Sequence, residues 1–132
     1  MVRRIAAVVI ACMVLAGCAS HEVVPSSGPR KSTTPGEVKL YQKHPQRYED
    51  LGAVVVAITP DMRWDDRGDA PAVFEALKAQ AAQRGANGVL LQIPATSYEY
   101  LVTAGYDGKF YQVPARRVPK TAMGQAIFVL EE

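Results

Sequence analysis

Two thiols, two imidazoles and one cluster of carboxylates are the groups with which this 132-residue chain could do chemistry. His21 and His44 are the two histidines, and no third ligand stands at a spacing that would complete a transition-metal site. Asp61, Asp65, Asp66 and Asp69 in DMRWDDRGD could clasp a hard cation. Calcium loops, however, alternate their oxygen ligands around a glycine and end on a glutamate, which this spacing does not reproduce. Arg63 and Arg67 also neutralise part of the charge, so a solvated loop is expected. No serine lies in a nucleophile elbow. Gly85-Ala86-Asn87-Gly88 precedes a strand instead of opening a helix, so it is not a phosphate loop. The expectation is therefore no catalytic residue, no metal ligand and no enzyme.

Cys18 stands apart from these groups. Arg3 and Arg4 are followed by Ile5–Leu15, an uncharged apolar run of eleven residues. That length suits the h-region of a signal peptide and falls short of the roughly twenty residues a bilayer-spanning helix needs. Leu15-Ala16-Gly17-Cys18 then resembles the lipobox of bacterial lipoproteins. The resemblance implies that the Cys18 thiol takes a diacylglycerol and that residues 1–17 are removed. The new α-amino group then receives an acyl chain such as palmitate. Two or three acyl chains hold a protein durably to a bilayer. Ala19, in place of the aspartate that marks inner-membrane retention, implies the periplasmic face of the outer membrane in a Gram-negative host. Cys12 leaves with the peptide, and no cofactor is expected beyond the covalent lipid on Cys18.

Cleavage would leave 115 of the 132 residues, and losing Arg3 and Arg4 would balance 13 basic against 13 acidic side chains. A neutral domain lacks the cationic surplus that phosphate backbones demand, so nucleic acid is not an expected partner. The remaining cysteine is acylated, which rules out an internal disulfide. Residues 18–37 are rich in Pro, Ser, Thr and Gly and have little apolar surface to bury. They are expected to form a disordered, lipidated tether reaching about 60 Å at full extension.

A single globular domain is expected over 38–132. Val38–Tyr41 reads as a short strand, and Ala53–Ile58 as a β-branched strand buried on both faces. A helix fits about 70–84, with Asp69 as its cap, Pro71 in its first turn and Gly85 closing it. Phe74, Leu77 and Ala81 form its apolar stripe. Val89–Ile93 follows as a strand. A hairpin then joins Thr96–Thr103 to Lys109–Val113. Its turn is either Asp107-Gly108 or the four residues 105–108, and both place Tyr98, Tyr100, Val102, Tyr111 and Val113 on one face. Gln125–Leu130 is the last strand. The fold expected is α+β: about four to five strands and one main helix, with a βαβ-type or split unit before the hairpin.

Four residues are candidates for contact with a partner. Trp64, in the polar loop, is either an interface anchor or a lid over the core. Tyr106 lies at the hairpin tip, and Arg116 and Arg117, with Lys120, make a small basic patch in an expected loop.

The order of Leu51-Gly52-x-Val54, Leu77, Ala81-Ala82-x-x-Gly85-Ala86-Asn87-Gly88-Val89 and Gly124-x-Ala126 resembles the lipoprotein sensors of the Rcs envelope-stress pathway. More remotely, it is similar to small proteins grouped as heavy-metal-binding. The resemblance covers about residues 48–130. It implies a compact α+β domain that works by binding other envelope proteins. The Rcs sensors are held by disulfides and the mature chain has no cysteine pair, so the architecture carries over and the signalling role does not. The function expected is a lipid-anchored, non-enzymatic binding or sensing module for envelope components. The alternative is a structural lipoprotein touching peptidoglycan or outer-membrane assembly components, and a metal protein or hydrolase is the remaining option.

Overall fold

The computed structural model describes residues 21–26 and 28–132. The expected signal peptide and Cys18 lie outside the described residues. Eight regular elements follow one another: β1 (Glu22–Val24), β2 (Lys39–Tyr41), β3 (Arg47–Ala57), α1 (Pro71–Gln83), β4 (Gly88–Leu90), β5 (Tyr100–Tyr106), β6 (Lys109–Arg117) and β7 (Lys120–Glu131). The α+β class stands, but the described residues contain one mixed sheet of seven strands where four to five were expected.

The C-terminal strand β7 is the spine. One of its edges carries β3 along nearly its whole length, antiparallel, from Arg47 opposite Glu131 to Ala57 opposite Thr121. Its other edge is shared: β6 pairs with the first residues, Ala115 opposite Ala122, and β4 with the later ones, Val89 opposite Ala126. Since β3 and β4 both run antiparallel to β7, they are parallel to each other with β7 inserted between them. The β3–α1–β4 unit is therefore the split form. β2 lies parallel to β4, β1 lies parallel to the start of β3, and β5 closes the hairpin with β6.

Helix α1 covers the inner face of this sheet, and the core lies between them. Val73, Phe74, Leu77, Ala81 and Ala82 of α1 meet Val54, Val56, Val89, Ala122 and Ala126. The inner face of β7 is Ala122, Gly124 and Ala126, all small, so the neighbouring side chains can close over it. A methyl group built on Gly124 would lie 2.8 Å from Val89 Cγ1 and 3.4 Å from the Leu90 carbonyl oxygen.

Several local expectations are corrected. β3 is not buried on both faces: Val54 and Val56 point inward while Ala53, Val55 and Ala57 are exposed. A bulge between Asp50 and Ala53 adds one residue to β3. It moves the inward set from odd positions (Glu49) to even ones (Val54), because the side-chain period is two. Asp69 does not cap α1. Ala70 holds the cap position without a side-chain bond, and Asp69 bridges to Gly105 of β5. The hairpin takes the two-residue turn, with positive φ at both Asp107 and Gly108 and Val102 opposite Val113. Strand β6 continues through Pro114 to Arg117, and a second hairpin leads directly into β7, so the loop expected around Arg116 is β-structure.

The close approach at β7 makes Gly124→Ala destabilising. Overpacking a filled core costs about 1–3 kcal/mol, and urea denaturation is expected to show a lower midpoint with an unchanged slope.

Candidate functional site

The segment expected to be a free tether lies against the domain over 21–26 and 28–37. The last carbonyls of an α-helix lack intrahelical donors, and this segment supplies them. Thr33 N–H donates to the Ala82 carbonyl at 2.9 Å, the Ser32 hydroxyl to Gln83 at 3.1 Å and the Thr33 hydroxyl to Ala86 at 2.5 Å. Gly85, at φ 75°, ends the helix in the left-handed region, and Arg30 and Lys31 cross directly over it where any Cβ would collide. Arg30 then pairs with the carboxylate of Glu49, whose side chain is only 3% exposed, and its guanidinium stacks 3.8 Å over the Phe128 ring. Low apolar content gave no sign of this docking, because polar bonds to the helix end hold it.

A second contact lies further toward the N-terminus. The His21 and His44 rings stack with centroids 4.1 Å apart, and Tyr48 stacks beside them. His44 Nδ1 and the Tyr48 hydroxyl share a hydrogen bond at 2.9 Å. Burial, and secondarily the neighbouring His21, push the His44 pKa down. Burial and then Asp50 push the Tyr48 phenol up. Glu22 and Arg47 form a loose ion pair at 3.7 Å beside them.

The four contact candidates do not form one site. Trp64 is 8% exposed and belongs to the core, so it is the lid and not an exposed anchor. Among the described residues its indole N–H meets no acceptor. The Tyr106 ring packs on Phe74, and its hydroxyl is bonded to Glu75 and to Lys78 Nζ. The bond to Glu75, then burial, raise its pKa. Arg116 donates twice to the Ser97 carbonyl, at 3.1 and 3.0 Å, while the Arg117 guanidinium lies 5.2 Å over the Tyr100 ring. Adjacent residues of a strand point to opposite faces, which separates these two cations.

An exposed apolar surface lies on the other side of the β5–β6 hairpin. Leu101 and Phe110 are 43% and 58% exposed there, on the face opposite Val102, Tyr111 and Val113. Beside them Gln42, Leu91, Gln92, Ile93, Tyr98, Leu101 and Gln112 line a hollow of about 190 Å³. Tyr98 thus leaves the tyrosine face to which the alternation assigned it. Gln42 ties this surface together, donating to the Phe110 carbonyl at 3.1 Å and accepting from Gln112 N–H at 3.2 Å. Apolar side chains among amides suit binding. Period-two alternation places Leu101 and Phe110 on one face, so the sequence carries this signal beside that of the tyrosines.

Among the described residues, no three His, Cys, Asp or Glu side chains converge as metal ligands, and no helix is long and apolar enough to cross a membrane. Comparison with protein-family models, curated proteins and solved structures returns no match.

Two outcomes follow. Arg30→Ala removes the guanidinium partner from the Glu49 carboxylate, whose side chain is 3% exposed. Breaking a fully buried pair costs about 3–5 kcal/mol, and the partial exposure of Arg30 reduces this to roughly 2 kcal/mol. Chemical denaturation should show that loss at pH 7. In the second case the folded state disfavours charged His44, so β1 docking is complete above its ordinary value of 6.5 and weakens as pH falls below it. Amide-exchange protection at Glu22 and Val24, whose N–H groups face β3, should drop between pH 7.5 and 5.5, and His44→Gln should flatten that dependence.

Proposed function

We propose that this chain is a lipid-anchored envelope lipoprotein that acts as a non-enzymatic binding module, with its lipid on Cys18 and its domain facing the periplasm. The observation that carries this reading is the Leu15-Ala16-Gly17-Cys18 motif behind an eleven-residue apolar run and two arginines. A thiol needs no neighbouring base or metal to be a lipid acceptor when a dedicated transferase reads the surrounding motif. The exposed Leu101 and Phe110 surface supports the binding role, since apolar side chains grouped around hydrogen-bonding amides are the usual anatomy of an interface.

The docked β1 changes how such an anchor would act. Three residues lie between Cys18 and Glu22, so the four Cα steps reach at most about 14 Å. The domain would therefore stand close to the bilayer, presenting the end of the sheet where β1 and β3 begin. A spacer of about 60 Å would exist only if β1, the Arg30 contact and the Ser32 and Thr33 bonds to the end of α1 all released.

Labelling with radioactive palmitate tests the anchor. The native chain should take up label and fractionate with the outer membrane, whereas Cys18→Ser should do neither while keeping the circular dichroism of a folded domain. Membrane attachment of Cys18→Ser through residues 1–17, or a native chain without label, would overturn the anchor. A photocrosslinking residue at Phe110 should capture an envelope protein, and its failure to capture one would count against the binding role.

A further inference from the structure

The outer edge of β3 is paired over only part of its length. β1 pairs with β3 only at Arg47, Tyr48 and Glu49, then Pro25 ends the pairing and the chain turns toward the helix end. At Asp50–Gly52 the edge is occupied: the Asp50 carboxylate accepts from Gly52 N–H at 2.8 Å, and Arg84 donates to the Leu51 carbonyl at 3.3 Å. Beyond Gly52, no described element pairs with this edge.

The ladder with β7 shows which groups are open. Ile58 N–H donates to the Lys120 carbonyl at 2.9 Å, so Ile58 and Lys120 form a hydrogen-bonded pair. Such pairs alternate in antiparallel sheets. Val56 with Ala122 and Val54 with Gly124 are therefore the next two, and Ala53, Val55 and Ala57 direct both backbone groups away from β7. The same three side chains are exposed, Val55 at 43%. Edges are often blunted by lysine or proline, and Ala53–Ala57 has neither.

We propose that this edge pairs with the same edge of a second copy of the chain, antiparallel about Val55. The segment Ala53-Val54-Val55-Val56-Ala57 reads identically in both directions. An antiparallel copy therefore places Val55 opposite Val55 and Ala53 opposite Ala57, which is the isologous arrangement a two-fold axis requires. Because the open groups fall on positions 53, 55 and 57, each of these residues exchanges both N–H···O bonds with its counterpart. The exposed β-branched Val55 pair adds a favoured cross-strand contact. A few residue pairs bury far less than the roughly 1,200 Å² of a stable interface, so the pairing is reversible and is best read by a trap. The surface belongs to the folded domain and does not depend on the lipid.

The test uses the full chain in cells. Val55→Cys, treated with a short bismaleimide, should give a covalent species of twice the chain mass that contains two differently tagged copies. The native chain, treated in parallel, reads any product formed through Cys12 or Cys18. Val118→Cys, on the exposed β6–β7 turn, should give far less product. Adding Ala53→Lys and Ala57→Lys to Val55→Cys should cut the yield about ten-fold, since each lysine then faces another across the pair. No dimer from Val55→Cys overturns the proposal, as does a product equally abundant from Val118→Cys or insensitive to the lysines. A crosslink to a protein of another mass assigns the edge to a different chain and also overturns it. Palmitate labelling of Cys18 is read separately, so loss of the anchor and loss of the dimer remain distinguishable.

Discussion

Strand β7 imposes the constraint on which the rest of the structure depends. It binds β3 on one edge and both β6 and β4 on the other, so three other stretches of chain, two of them distant in sequence, meet through its backbone. Each neighbour must match its register, and α1 must lie on its inner face. That is possible because Ala122, Gly124 and Ala126 have almost no side chain to displace their neighbours. A small-residue strand contributes little apolar area itself. Its value is that Val54, Val56, Val89 and the α1 stripe can meet over it.

The bulge at Asp50–Ala53 follows from the same constraint. The first part of β3 turns Tyr48 to the outer face, where it joins Leu90 and Ile127 in a second small cluster. The second part must turn Val54 and Val56 toward α1. One extra residue reconciles the two demands. It also leaves the chain beyond Gly52 with an unpaired edge, because β1 ends at Val24 and departs to reach the end of α1.

Polar chemistry, not apolar burial, holds residues 28–37 in place. Thr33, Ser32 and Arg30 satisfy carbonyls at the end of α1 and the carboxylate of Glu49. In a chain read by apolar content alone such a segment counts as linker. These partners lie 19 to 53 positions away and cannot be seen from the segment's own composition. The same long-range ordering decides Trp64. A polar loop surrounds it in sequence, but the loop is tied to β5 by Arg67 N–H donating to the Thr103 carbonyl and by Asp66 accepting from Thr103 N–H. The indole is therefore folded inward.

The sequence by itself determined what short-range physics controls. The α1 stripe closed by Gly85 and the shared face of Val102 and Val113 rest on residues a few positions apart, whereas the choice of the two-residue turn was left to the structure. Backbone dihedral preference and side-chain periodicity decide such features before any tertiary contact forms. The α+β class follows from them. The tertiary structure alone decided the strand count, the position of β7 at the centre, the reversal of facing along β3 and the docking of the N-terminal segment. Each of these depends on hydrogen bonds between residues tens of positions apart, and a hydrogen bond leaves no periodic trace in either partner's sequence. Arg116 and Arg117 show the difference most simply. Read along the chain they are one basic patch, whereas strand geometry sends one to Ser97 and the other to Tyr100.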